Sequence, residues 1–232
     1  MSAPTIWSEV DARLSRFLSD EENLDADESY LYNQALRIDS WNQAQRVLAQ
    51  QHTPRQLSTV LTMDSVRVAI LPADFIAIWR LYDADEQRWL RPLDNPQPGA
   101  VRHDDDELAT YWVWGNQLLF EKTVALTSTD MTLYYWGYWP EVEYEEEEDE
   151  TYSITGQTIN VPRWAILPLE HLTSALILTP GSVENARVRQ WNMKIDSGIP
   201  TNNALLEVAK NHLWWWNSLL SMVSPAQWRH GM

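Results

Sequence analysis

Val68-Ala69-Ile70-Leu71-Pro72-Ala73-Asp74-Phe75-Ile76-Ala77-Ile78-Trp79-Arg80-Leu81 is the stretch that decides the fold. Two runs of β-branched and aromatic residues flank Pro72-Ala73-Asp74, so the spacing predicts two strands, Arg67 to Leu71 and Phe75 to Tyr82. The same punctuation extends both ways from Leu57 to Pro140 and predicts further strands at Leu57 to Thr62, Tyr111 to Phe120 and Met131 to Trp139. Within Tyr111 to Phe120 the chain folds back at Gly115-Asn116, where glycine supplies the positive φ of a tight hairpin. Arg91 to Glu107 reads as a polar loop.

Helical periodicity lies on both sides of this region. Ile6, Val10, Leu14, Phe17 and Leu18 recur at three- and four-residue spacing and predict a short amphipathic helix. A second runs from about Glu28 to Gln50, with Leu31, Ala35, Ile38, Trp41 and Leu48 near one face, and Thr53-Pro54 ends it. After residue 160 a third begins at Pro162 or Pro168 and continues through Leu178, until Thr179-Pro180-Gly181 stops it. Ser182 to Ile195 and about Asn202 to Met222 complete the helices, and Pro225 closes the last. The expected fold is therefore α+β: a bundle of N- and C-terminal helices with an antiparallel sheet or sandwich inserted, and an extended C-terminal arm. Its parts are residues 1–56, 57–160, 161–223 and 224–232.

At 232 residues and 44% hydrophobic content the chain has enough apolar surface for a core. It lacks the roughly 18 consecutive apolar residues of a membrane span, and its first twenty residues hold acids and no apolar signal core. That predicts a protein made in a cytoplasm, with no membrane partner. The absence of cysteine removes disulfides, thiolate metal sites and thiol nucleophiles. Net charge is −16, and Glu141 to Glu150 concentrates eight acids with no base. Such a chain repels a phosphate backbone rather than gripping it. Fourteen tryptophans suit interfaces or stacking platforms as well as cores.

Chemistry has little to build on. His52, His103, His171, His212 and His230 are far apart, and none shares the i, i+4 spacing of two ligands on one helix; only His103 has an acid at i+4, Glu107. Neither a nucleophile elbow nor a phosphate-binding glycine loop is present, so no enzyme and no cofactor is expected. Asp104 to Glu107 and Glu143 to Glu150 lack the alternating order of a calcium loop and read as solvated. Glu145, Glu146, Glu147 and Glu148 are thus expected in a flexible, exposed loop. In Trp214-Trp215-Trp216 successive side chains diverge by about 100° on a helix, so Leu213, Trp216 and Leu220 are placed on a core stripe while Trp214 or Trp215 meets another subunit.

The segment Leu71-Pro72-Ala73-Asp74-Phe75 resembles the Leu-Pro-x-Asp-Phe strand of head-to-tail connector (adaptor) proteins of tailed bacteriophages. Around it, Trp112 to Leu118 is similar to that family's glycine-turned aromatic hairpin, Leu133 to Pro140 to its Tyr-Tyr strand, and Val161-Pro162-Arg163-Trp164 to the start of its later helices. The resemblance covers Ile6 to Thr179; the acidic run and the region after Pro180 depart from it. It implies a structural virion protein at the head–tail interface: a ring, a dodecamer, joining the portal protein to a tail or nozzle protein while double-stranded DNA passes without tight binding. Trp228, Arg229 and His230 are then expected to dock on the portal, the alternative being that Trp228 folds back on the Trp214 to Trp216 helix. Two rival readings remain: a neck or tail completion protein, and a carbohydrate-binding or glycan-cleaving tail module. The last requires tryptophans gathered on one sheet face.

Overall fold

A computed structural model describes residues 5–18, 32–64, 67–85, 87–92, 110–120, 130–146, 152–154, 157–195 and 204–223. The fold is α+β and divides into two units: residues 1–53 with 139–232, which is helical, and residues 54–138, which is a sheet. The division corrects the expected parts. Residues 139–160, the acidic run included, belong with the helices and not with the strands.

In the helical unit, α1 (Trp7–Leu18) buries Trp7, Val10, Leu14 and Leu18, an i, i+3, i+7, i+11 stripe. Ile6 falls outside that stripe; its backbone instead bridges to Thr158. The second helix, α2 (Gln34–Gln51), starts later than the periodicity suggests because Asn33 caps it, its side-chain oxygen accepting from the Leu36 N–H at 2.9 Å. It ends as expected, the N–H groups of His52 and Thr53 both donating to the Leu48 carbonyl before Pro54. Arg37 is buried on α2 between Asp11 and the Ser15 hydroxyl.

The third helix, α3 (Arg163–Ile195), is one helix of 33 residues and not two, crossing both Pro168 and Thr179-Pro180-Gly181. Proline removes one N–H but fixes a helical φ. Burial of Leu169, Leu172, Ala175, Ile177 and Leu178 outweighs that loss, and the Thr179 hydroxyl donates to the Ala175 carbonyl beside the break. The last helix, α4 (Ala204–Val223), packs along α3, and α3 also meets α1 and α2. One core joins these four helices, including Trp7, Trp41, Ile166, Leu172, Trp216 and Leu220.

In the second unit seven strands follow the order β1-β7-β3-β4-β5-β6-β2. They are β1 (Arg55–Thr62), β2 (Val68–Ile70), β3 (Phe75–Asp83), β4 (Arg88–Pro92), β5 (Thr110–Trp114), β6 (Gln117–Phe120) and β7 (Asp130–Gly137). Flat, this sheet would place β1 and β2 about 29 Å apart. Yet Thr62 and Val68 are joined by a connection that spans at most about 21 Å. The sheet must curl, and every strand contributes to a single interior that holds Leu61, Leu81, Leu118, Met131 and Leu133.

The Leu-Pro-x-Asp-Phe stretch fixes part of that curl. Asp74 accepts a hydrogen bond from the Tyr135 hydroxyl at 3.0 Å, while its backbone carbonyl accepts from the Tyr138 N–H at 2.8 Å. Burial and the Asp74 carboxylate push the Tyr135 phenol up to about 12. Two features correct the expectation of an antiparallel insertion with a polar loop after residue 90. Arg91 and Pro92 are part of β4, and β4 runs parallel to β5, so the sheet is mixed. A last pair, β8 (Glu145–Glu146) with β9 (Tyr152–Ser153), belongs to the helical unit.

Candidate functional site

The outward face of the curled sheet carries an aromatic cluster built around one arginine. On β7 alternation sends Met131, Leu133 and Tyr135 inward and leaves Tyr134 and Trp136 on the other face. On β3 strict alternation would send either Trp79 or Arg80 to the core. The register shift between Ile78 and Arg80 is a bulge, and a bulge re-aims side chains, so both consecutive residues are exposed. The Arg80 guanidinium carbon lies 5.3 Å from the ring centres of both Trp79 and Trp89. Tyr134 packs against both indoles, Trp136 against Trp79 and Tyr82 against Trp89, with centres 4.8–6.3 Å apart. Trp79 and Trp89 remain 45% and 46% exposed. Among the described residues Arg80 has no carboxylate partner, although acids outnumber bases by 16 in this chain.

An open cleft of about 850 Å³ lies beside this cluster. Every residue from Phe75 to Arg80 lines it, together with Tyr111, Trp112 and Val113 on the other wall. Consecutive residues of a strand point to opposite faces, so what borders the cleft is the backbone edge of β3. The sequence explains the gap. The β4 strand pairs with β3 only over Leu81–Asp83 and then swings to β5, ending in Pro92, which has no N–H for a ladder.

A second exposed aromatic patch sits on α4, where Trp214 and Trp215 pack edge to face at 4.8 Å and are 60% and 45% exposed. Trp216 is buried and meets the His52 ring, and Leu220 is buried with it. Leu213, assigned to the same stripe from the sequence, is exposed instead: it lies at the edge of the buried face, on the side towards exposed Trp214.

Sequence spacing missed a direct contact between two histidines. His171 on α3 and His212 on α4 meet with their Nδ1 atoms 2.9 Å apart. Phe17 stacks on His171 at 4.8 Å from one side and Trp215 lies parallel to it at 6.0 Å. Burial and the neighbouring His212 lower His171 to about 4; burial also lowers His212, against a hydrogen bond to the Phe17 backbone. At neutral pH both rings are uncharged and one Nδ1–H serves the other's lone pair. Next to His171, buried Glu170 pairs with Arg13 of α1. Burial raises the Glu170 carboxyl more than Arg13 lowers it.

The acidic run is not a free loop over the residues described. Glu141 pairs with Arg46, and Val142 is buried, held through its N–H and carbonyl by the Asn42 amide, both bonds at 2.9 Å. Glu143 binds Gln157 through its backbone, and the Tyr144 hydroxyl reaches Asp39. Glu145 and Glu146 are β8, and the Glu145 side chain is exposed; Glu147 and Glu148 lie outside the described residues. The expected flexible loop is thus corrected up to residue 146: neighbouring polar groups pin the backbone while the Glu141, Glu143 and Glu145 side chains stay exposed. The arm at 224–232, with Trp228, Arg229 and His230, and the pair His103 and Glu107 also lie outside the described residues.

Among the described residues no cluster of three or more His, Asp or Glu could hold a metal ion, and no helix is long and apolar enough to cross a membrane. No protein-family model matches the chain, and no curated protein matches it in sequence.

Proposed function

We propose that the chain is a structural assembly subunit, the head-to-tail connector (adaptor) of a tailed bacteriophage, which forms a ring between portal and tail. One observation carries the reading: each of the two units exposes its own tryptophan patch, Trp79–Arg80–Trp89 on the sheet and Trp214–Trp215 on α4. Trp, Tyr and Arg are the residues that dominate protein interfaces. A ring of identical subunits is built from heterologous contacts, so each subunit needs two different contact surfaces, and this chain offers two. The resemblance of the Leu-Pro-x-Asp-Phe stretch and the order of elements around it supply the phage context. A net charge of −16 suits a conduit through which DNA slides without being held.

The exposed sheet aromatics also raise the rival, a carbohydrate-binding module. Stacking on sugar faces needs rings that share a plane, whereas here neighbouring rings stand 38–89° to one another. That geometry suits a protein contact better. Removing the chain from the virus that encodes it tests the connector reading. DNA-filled heads without tails are the expected product, and normally tailed particles would overturn it.

A further inference from the structure

Three described features fit one another. The β3 edge from Phe75 to Arg80 borders an open cleft and has a strand on one side only, β7, among the described residues. Arg80 at the cleft wall has no carboxylate partner there, and Arg91 is exposed on β4 between the cleft-lining Leu90 and Pro92. The third feature is the β8–β9 pair of the helical unit, two residues per strand with no third strand among the described residues, whose β8 is Glu145–Glu146. An isolated two-stranded ribbon is marginal in water.

From these we infer that β8 of a second copy of the chain adds as a strand to the open β3 edge, its exposed Glu145 carboxylate meeting Arg80. The inference rests on the ring reading above and names the contact that would build it. Strand addition supplies main-chain hydrogen bonds along the edge, and the side chains set specificity. The charges supply that specificity here. Two copies at −16 repel at long range, so contact is favourable where an acidic strand of one meets cationic side chains of the other. A second copy is the occupant of choice because this chain itself carries the acidic strand, and because a ring requires the giving and receiving surfaces to differ.

Because the chain has no cysteine, an engineered pair reports on this contact alone. Chains carrying Ala77→Cys on the β3 edge are mixed with chains carrying Glu143→Cys, an exposed position two residues before β8 that leaves Glu145 in place, and oxidised, with Glu9→Cys, an exposed acid on α1, as the background partner. A disulfide-linked heterodimer is expected well above the Glu9→Cys background, and adding Arg80→Glu to the Ala77→Cys chain should lower its yield about tenfold by like-charge repulsion. Val113→Cys on the opposite wall gives a second reporter if Ala77→Cys fails to fold. A yield no higher than background from both reporters, or one indifferent to Arg80→Glu, overturns the inference. So does a single chain with both cysteines that closes on itself at high dilution. Failure here leaves tail-less heads unaffected, whereas tailed particles lacking the chain would sink the ring reading even if the disulfide formed.

Discussion

The contact between His171 and His212 is expected to make the helical unit sensitive to acid. A histidine whose folded pKa lies below its unfolded value of about 6.5 stabilises the fold above that value. For His171 the stabilisation is lost as pH falls from about 6.5 towards its folded value of about 4. His212 is shifted in the same direction. Glu170, raised by burial, works in the opposite sense, so the histidines are isolated by comparison with a variant. We predict that helical signal melts at lower temperature at pH 5 than at pH 7, and that His171→Leu with His212→Leu flattens this dependence. An unchanged pH slope in the variant would contradict the assignment. Trp41 is fully buried against Trp7, their rings 6.0 Å apart, and neither indole N–H has a partner among the described residues. Trp41→Ala should therefore cost about 3–5 kcal/mol in denaturant unfolding. Trp41→Phe, which also removes an orphaned donor, should cost clearly less. The periodicity of α2 made Trp41 legible as core; a sequence separation of 41 between the two histidines hid their meeting from any spacing rule.

Among the elements, Asn42 holds the first part of the acidic run. Its amide answers both backbone groups of buried Val142, so Asn42→Ala leaves them unmet and should cost about 1–3 kcal/mol. Amide exchange at residues 141–146 should quicken in the same variant, and unchanged exchange would show that Asn42 does not hold the segment. In the sheet, a Cβ at Gly137 would lie 2.8 Å from Leu57 Cδ1 and 3.0 Å from the Asp74 carbonyl oxygen. Gly137→Ala is therefore expected to destabilise the strand unit by about 1–3 kcal/mol, read as a lower unfolding midpoint. Most strands were readable because β-branched and aromatic runs stood between Pro, Gly and Asn; the Gly115 turn has φ +61°, as its Gly-Asn pair suggested. The β4 strand escaped because Arg88-Trp89-Leu90-Arg91-Pro92 is short, charged and closed by proline. Prolines also misled at α3. Thr179-Pro180-Gly181 signals a stop locally, but the packing that carries the helix through comes from α1, α2 and α4.

Over the whole molecule the composition was informative about what the chain avoids and less so about where its surfaces lie. The surplus of tryptophan did not say which rings stay at the surface: the bulge on β3 exposes Trp79 and the pitch of α4 exposes Trp214 and Trp215, Trp89 and Trp114 are exposed on β4 and β5, and Trp7, Trp41 and Trp216 are core. Two aromatic surfaces, one on each unit, together with an acidic strand and an edge bearing Arg80, are the features on which the proposed ring rests. We propose that the chain forms a ring on the portal. The most direct measurement is the mass of intact portal complexes released from virions under native conditions. A portal assembly carrying a full, fixed number of copies of this chain is expected. Portal complexes in which the chain is absent, or is present only as a single copy, would contradict it.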